Sequence, residues 1–490
     1  MIPRSRLNSN SVLAALLFRY SSNLVFQLAG FIVAMVVSKL LGPELLGYYA
    51  LLNIIKNYLS YTNLGSTNGL TWSLGMSLGA GKQEEADSTI KTAFTFHFIL
   101  PLFFAISIVV VSAFIELQYP LNWVVPFAGI IGFIDLYGVN LSRIFGAMEL
   151  HKYLARIKII KSFLTIIVVI PLVYFFSIEG RIFAALLLSL FLTVVYHVKI
   201  KNKLAFHWDK EKFKELIRVG FPIMMAGFLH ANFFLADRLI ITGFLTIEDL
   251  GMYAFGFYLV NVVKMIKGTV ANVVYQRQNR VFGKFGPQDT SQLFRITKST
   301  SYFVTDLTGI VSGISLIVFT YAVLIFMPEY SDALNITYIV VFSQAIGSIN
   351  VLNTVRKNYL FLGILSFSLL VNVSLGILLV TTYGLIGVAY ATFFSFMLLN
   401  SIINFVNLRF FKKSIKVSII VTLRIVLVPA TVFIVAFFIK EGILYTYVGE
   451  SLFHEFFKML AFEILFLILS IPLFFMIKNH LRALNNIEID

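Results

Sequence analysis

The chain contains no cysteine. Disulfides, thiolate metal sites and a cysteine nucleophile are therefore excluded. Charge is nearly as scarce, since Asp, Glu, Lys and Arg make up 13% of the 490 residues where soluble domains carry roughly 25%. With 11 prolines in the whole length, a long Pro-rich linker is ruled out too. The usual signatures of hydrolytic chemistry are missing. His97, His197 and His230 stand alone, without the neighbouring carboxylates or histidines that a metal needs, and so read as satisfied buried histidines. Gly79-Ala-Gly81-Lys82 lacks both the four-residue spacing and the Ser/Thr of a Walker A loop, and no Gly-x-Ser-x-Gly elbow occurs. Direct use of ATP is not expected.

What is present is apolar surface. Hydrophobic residues are 59% of the chain, with 51 Phe, and the mean hydropathy is +0.88. This composition predicts an all-α, polytopic membrane protein with no large domain outside the bilayer. Runs of about 20 apolar residues predict spans near 11–39, 45–66, 89–115, 121–147, 155–177, 180–200, 218–244, 249–276, 297–327, 333–355, 360–381, 384–407, 418–439 and 455–477, about fourteen transmembrane helices. The first is a retained span, too long for a signal-peptide core. The net charge of +15 would suggest nucleic acid in a soluble chain. Here the basic residues fall in alternate short loops, among them Lys82, Lys152, Lys199, Lys201, Lys210, Lys284, Arg356, Lys412 and Lys478. That asymmetry predicts cytoplasmic N- and C-termini and no nucleic-acid partner.

Leu41, Glu44, Leu46, Gly47, Tyr49 and Ala50 recur as Leu245, Glu248, Leu250, Gly251, Tyr253 and Ala254. Gly180, Ile182 and Ala185 reappear as Gly384, Ile386 and Ala389. Both matches step by 204 residues (245 − 41 and 384 − 180). A repeat that contains an even number of spans enters the membrane from the same side twice, the parallel-repeat plan of transporters with substrate between the lobes. The expected organisation is two pseudo-symmetric six-helix lobes, 1–200 and 220–410, and two extra C-terminal helices with a tail in 411–490. Residues 201–219 form a linker in which Phe213, Leu216 and Ile217 share one face against charges, as in a helix lying along the cytoplasmic interface.

Leu41-Gly-Pro-Glu-Leu-Leu-Gly-Tyr-Tyr49, Gly65 with Gly79-Ala-Gly81, Gly220-Phe-Pro222, Asp237-Arg238 and Tyr383-Gly-Leu-Ile-Gly387 together resemble the polysaccharide-transporter family of the multidrug/oligosaccharidyl-lipid/polysaccharide exporter superfamily. Within it the likeness is to O-antigen-type flippases of lipid-linked oligosaccharides, and it covers about residues 10–410. Two features depart from the pattern. Ile247 stands in the second lobe where the first has Pro43, and two helices follow a twelve-helix core, as they do in the related lipid II flippases. The resemblance implies a bacterial inner-membrane protein, no enzyme, acting on an undecaprenyl-diphosphate-linked glycan among membrane lipids, with polysaccharide assembly proteins as possible partners.

Ionisable side chains inside spans face protein or water rather than lipid. Arg19, Asn23, Gln27 and Gly30 advance by three or four along the first span. Asn53, Lys56 or Asn57, Ser60, Asn63 and Thr67 do so on the second, and Asn261, Lys264, Lys267 or Gly268, Asn272 and Tyr275 on the eighth. Each set makes one polar stripe, and the stripes call for a common water-filled cavity. Lys161 and Arg238 add to its charge, Lys161 also being placed to snorkel and Asp237-Arg238 to form a structural ion pair. A cationic cavity suits phosphate oxygens, with sugars along the Asn and Tyr side chains. The expected substrate-binding residues are therefore Arg19, Asn23, Lys56, Asn57, Lys161, Arg238, Asn261, Lys264 and Lys267. No catalytic residue, metal or organic cofactor is expected. If transport is coupled to protons or sodium, Asp135, Asp237 and Asp306 are the candidates. The leading expectation is a flippase working by alternating access of a cationic cavity between the lobes. The alternatives are a lipid II flippase, a multidrug or cation antiporter, disfavoured by the positive sign of the buried charge, and a polysaccharide polymerase, disfavoured by the short outer loops.

Overall fold

The computed structural model describes residues 9–286, 290–347, 350–355, 357–446 and 452–485; the side chains of 9–21, 23, 24, 202, 269, 272, 273, 276, 280, 452, 453 and 481–485 lie outside that description. The helices are α1 (Ser9–Leu59), α2 (Ser66–Gly79), α3 (Gln83–Phe114), α4 (Leu121–Ala147), α5 (His151–Ile200), α6 (Lys210–Phe244), α7 (Ile247–Phe285), α8 (Ser291–Phe326), α9 (Ala333–Ala345), α10 (Asn358–Phe410), α11 (Ile415–Thr446), α12 (Leu452–Leu469) and α13 (Ile471–Asn485). No strand occurs among the described residues. The all-α polytopic class holds.

Among the described residues nine helices are long and apolar enough to cross a bilayer, and the α12–α13 pair, bent by 52°, makes a tenth. Three of them are each two spans. α1, α5 and α10 leave helical geometry at Gly42, Ser177 and Gly384, and with the short α9 this gives the 14 segments that hydropathy predicts. At Ser177 (φ 50, ψ −128) and Gly384 (φ 57, ψ −138) the chain doubles back. Three residues later, a Cβ on Gly180 or Gly387 would stand 1.9 or 2.2 Å from the carbonyl oxygens of Leu172 and Leu379. Eight residues of straight helix would separate those groups by about 12 Å.

This geometry corrects the register of the repeat. Leu46 and Leu250, both buried, keep the step of 204. The two reversals instead step by 207, from 177 to 384 and from 180 to 387. Gly180 therefore corresponds to Gly387, where a missing Cβ is required, and Gly384 to Ser177, where a positive φ is.

The second span does not end at 66. After a short 3-10 turn (Ser60–Asn63) and the left-handed pair Leu64 and Gly65 it resumes as α2. Its counterpart α7 runs unbroken for 39 residues. An interrupted helix in a membrane must have its freed backbone groups satisfied by protein. Asn63 does most of this, accepting from Gly65 N at 2.8 Å and donating to Ser60 O at 2.9 Å, while Ser66 donates to Asn63 O at 2.6 Å.

A second interruption corrects the tenth span, which is helical to Ala345 and then irregular rather than continuous to 355. Thr308 donates to Ala345 O, Lys267 to Ile346 O and Thr305 to Gly347 O, at 3.1, 3.1 and 2.9 Å. Side chains of α7 and α8 thus supply the donors that the unwound segment lacks.

The chain forms two compact units, Met1–Phe228 and Leu229–Asp490, so the division falls inside α6. The segment expected as an interfacial linker, 201–219, holds a 3-10 turn at Lys201–Lys203 and the start of α6. Residues 210–219 are the first turns of α6, because Asp209 caps them and nothing before Pro222 interrupts the helix. The Asp209 carboxylate accepts from Glu211 N and Lys212 N at 2.9 and 3.0 Å, and these amides, Lys212 first, hold its pKa below the ordinary carboxylate value. The segment is sewn to the first unit. Thr95 Oγ1 both accepts from His207 N and donates to His207 O at 2.9 Å, and the Phe213 ring packs against that of Phe96, tilted by 55° at 4.8 Å between centroids. Gly65 and Gly220 meet backbone to backbone, where a Cβ on Gly220 would stand 1.9 Å from Gly65 O. In the second unit, α11 and α13 pack on α8, and Gly313 leaves room for the Phe466 ring of α12. Large apolar side chains such as Phe103, Phe114, Phe163, Ile167 and Phe175 remain exposed, as a lipid-facing surface requires.

Candidate functional site

In the first unit the polar stripe of the second span lines a cavity of about 580 Å³. Asn53, Lys56, Asn57, Ser60, Asn63 and Thr67 contribute to it, joined by Tyr61, Asn68, Asp135 and Arg143. The break at Ser60–Gly65 turns amides and hydroxyls that a straight helix would spread along its axis toward one space. Below that lining the polar groups are tied down. Thr67 is hydrogen-bonded to Asn140, and Ser66 to His97 at 2.6 Å. The isolated His97 and His197 are each partnered, the latter by Tyr137 Oη at 2.7 Å.

Asp135 is the pivot of this unit. Its Oδ2 lies 2.5 Å from Lys56 Nζ, and its Oδ1 accepts from Ser189. Asp135 and Val139 also line a second cavity of about 480 Å³, whose other walls include Ser22, Phe26, Ser142, His151, Lys158 and Lys161. Lys158 and Lys161 lie over the Phe26 ring at 4.7 and 5.8 Å from its centroid. Lys158, a charge that loop assignment alone leaves unremarked, sits three residues before Lys161. That i,i+3 spacing is the sequence signal for it. Arg19 and Asn23 lie on α1, and their side chains are outside the described residues.

In the second unit the adjacent residues Asp237 and Arg238 do not pair. Neighbours on a helix point about 100° apart, and each finds other company. Tyr253 Oη and Thr392 Oγ1 both donate to Asp237 Oδ2 at 2.6 Å. Asp237 is fully buried, and its Oδ1 has no hydrogen-bond partner; neither do the side-chain atoms of the buried Asn372. The Arg238 guanidinium rests over Phe257 at 5.1 Å, and Lys264 Nζ over Phe234 at 3.9 Å. The two rings contact each other, so two cations share one aromatic ledge. Lys267 is committed to Ile346 O, and Asn261 is exposed on α7. Asp306 is bound into a buried network with Arg424 at 3.1 Å and His480 at 3.3 Å, fastening α11 and α13 to α8. Thus Lys56, Asn57 and Lys161 line cavities, whereas Lys267 and Asp306 carry structural bonds. Tyr253, Thr392 and Asn372 around Asp237 are the members that spacing alone does not reveal, since Tyr253 comes from α7 and Thr392 and Asn372 from α10. Among the described residues no group of three or more metal-ligating side chains occurs.

A family model described as polysaccharide biosynthesis protein matches residues 36–281. No curated protein matches the sequence. Among solved structures, the lipid II flippase MurJ in an inward closed conformation is similar with a TM-score of 0.69 at 14% identity, covering 94% of this chain and 99% of that one. An inward-facing multidrug resistance MATE family transporter of the MOP superfamily gives 0.64 at 14% identity, over 81% and 98% of the two chains. An outward-facing transporter of that family gives 0.54 at 16%, over 82% and 95%. At such identities the likeness is one of fold alone.

Proposed function

Because this chain belongs to the polysaccharide biosynthesis protein family, we propose that it is a flippase that carries an undecaprenyl-diphosphate-linked oligosaccharide from the cytoplasmic to the outer leaflet by alternating access. The observation that carries the reading is the composition of the first unit's cavities. Amide and hydroxyl side chains suited to sugars stand beside Lys56, Lys158 and Lys161, which are suited to a diphosphate. No bond is made or broken, and the protein's work is to shield a polar headgroup from hydrocarbon. On this reading the membrane is the bacterial inner one with both termini in the cytoplasm, an orientation that the loop asymmetry supports. Asp237 is the candidate for proton or sodium coupling, because its carboxylate is buried with one oxygen unpartnered. A cation antiporter built on the same fold would put acids in the substrate cavity, whereas the acid of the first unit's cavities, Asp135, is already neutralised by Lys56.

The test is a strain lacking the protein, complemented with wild type, K56A or K161A. Both variants should reach the membrane yet lose surface glycan, and lipid-linked repeat units should accumulate where only cytoplasmic reagents reach them. Full complementation by both, or units accumulating on the outer face, refutes the assignment.

A further inference from the structure

No Asp or Glu occurs between Asp332 and Glu441, and none between Thr290 and Asp306. The second unit brings parts of both acid-free stretches to one end, where α8 begins, α10 ends and α11 begins. Phe294, Lys298 and Tyr302 follow at intervals of four on α8 and so lie along one face. Lys298 Nζ stands 5.9 Å from the Phe294 centroid and 5.7 Å from that of Tyr302. Beyond α10, Lys412 adopts a left-handed backbone (φ 52), and Lys413 N donates to Leu408 O at 3.1 Å. That turn sets Lys413 Nζ over the same Phe294 ring, 4.3 Å from its centroid. Phe411 packs on Phe294 and Phe410 on Phe411, each at 5.4 Å, and Lys357 Nζ lies over Phe410 at 5.3 Å. Three ammonium groups thus stand on a continuous ledge of rings, and Arg295, Lys412 and Lys416 are exposed on the same segments.

A ring face attracts a cation without neutralising it. Among the described residues, no carboxylate lies within salt-bridge distance of these six side chains, and Asp306, the one acid of α8, is engaged by Arg424 and His480. The patch therefore repels itself, and a bound anion relieves that repulsion. It also stands where three candidate membrane spans end or begin, beside the exposed apolar side chains of Phe405, Ile415, Ile419 and Ile420. An occupant that satisfies both neighbours carries a phosphate at the head of a hydrocarbon chain.

We propose that this end of α8, α10 and α11 binds an anionic phospholipid, its phosphate held by Lys298 and Lys413 above Phe294 and its acyl chains laid on the apolar flank of α11. Basic clusters at the cytoplasmic edge of spans hold acidic headgroups in this way, and the loop asymmetry expects that edge here. The site goes beyond the flippase reading and does not depend on it, because the lipid is a bound component of the bilayer and not the cargo.

Native mass spectrometry of the full-length protein in detergent, titrated with phosphatidylglycerol or phosphatidylcholine, reads the affinity of the first bound lipid. Wild type should bind phosphatidylglycerol about tenfold more tightly, and K298Q/K413Q should lose about fivefold or more of that preference. K298R/K413R, which keeps the charge, should retain it within about twofold and so tells loss of the site from loss of the fold. K210Q/K214Q, which removes the same charge from the first unit, should retain it as well. Glycerol phosphate, an anion with no hydrocarbon, should not displace the lipid at equal concentration. The proposal is overturned if wild type does not discriminate between the lipids, or if K298Q/K413Q binds phosphatidylglycerol as wild type does. It is equally overturned if K210Q/K214Q loses as much, or if glycerol phosphate competes on equal terms. None of these measurements involves transport, so the flippase reading stands or falls separately.

Discussion

The Lys56–Asp135 pair offers the sharpest test of how charge is arranged in the first unit. The side chains are 2.5 Å apart and 17% and 33% exposed, between a surface pair, worth up to about 1 kcal/mol, and a fully buried one, where deleting one partner costs about 3–5 kcal/mol. K56A should therefore cost about 2 kcal/mol, because it strands a carboxylate whose remaining partner is Ser189. If the first unit, some 228 residues, unfolds as one, that loss lowers its Tm by roughly 4–8 °C. D135N should cost less, since an uncharged amide can still bond Ser189 and the stranded ammonium is the more flexible group. The double variant K56A/D135N removes both charges and should recover most of the loss, giving a coupling energy of about 2 kcal/mol in a double-mutant cycle. The same cycle, read by undecaprenyl diphosphate binding, should show K56A weakened, because it loses a donor and leaves an uncompensated Asp135 that repels the anion, and the double variant recovering the part due to Asp135. Thermal unfolding and lipid binding on the four proteins suffice. A coupling energy below about 0.5 kcal/mol, or a double variant that binds no better than K56A, refutes the reasoning that the acid is held neutral by this lysine.

Four further outcomes are expected. D237N should abolish any dependence of transport on a proton or sodium gradient in proteoliposomes while leaving lipid binding intact; an unchanged gradient dependence removes Asp237 as the coupling group. S177G should stabilise the protein by about 1 kcal/mol, since a positive φ with ψ near −128 is strained for serine and natural for glycine, and thermal unfolding measures it. K267M should cost about 1–3 kcal/mol by leaving the carbonyl of Ile346 without its donor, with faster hydrogen exchange on the unwound segment after α9 as the local readout. D209A should cost about 1 kcal/mol by removing the cap of α6. Because the folded carboxyl has a depressed pKa, that contribution is complete above the unfolded value near 4 and is lost as the pH falls through the folded one. Wild type and D209A should thus differ at pH 7 and converge only as the pH falls below the depressed folded value.

How much of this was readable beforehand depends on what each feature is made of. Span number came from apolar length, which the bilayer dictates residue by residue, and it survived even where the chain reverses within one or two residues at Ser177 and Gly384. The polar stripe of the second span was legible because helical periodicity places Asn53, Lys56, Asn57 and Ser60 on one side whatever the tertiary structure does. What periodicity assumes is an unbroken helix. It therefore missed the interruption at Ser60–Gly65, whose freed groups are met locally by Asn63 and Ser66, and the one after Ala345, whose carbonyls are met by Thr305, Thr308 and Lys267 from other helices.

The same distinction explains the charged residues. Sequence shows that an ion lies within a span and that it costs energy there; it does not show which neighbour meets that cost. Asp237 stands beside Arg238 in the chain yet is held by Tyr253 and Thr392. Asp306 is engaged by Arg424 and His480, from the two segments beyond the twelve-helix repeat. Lys56, Lys267 and Arg424 are all intramembrane cations by composition, and their partners separate them into three kinds: one opposing an acid at a cavity wall, one closing a broken helix, one fastening the extra helices. A cation is a candidate for substrate only after such local uses are subtracted.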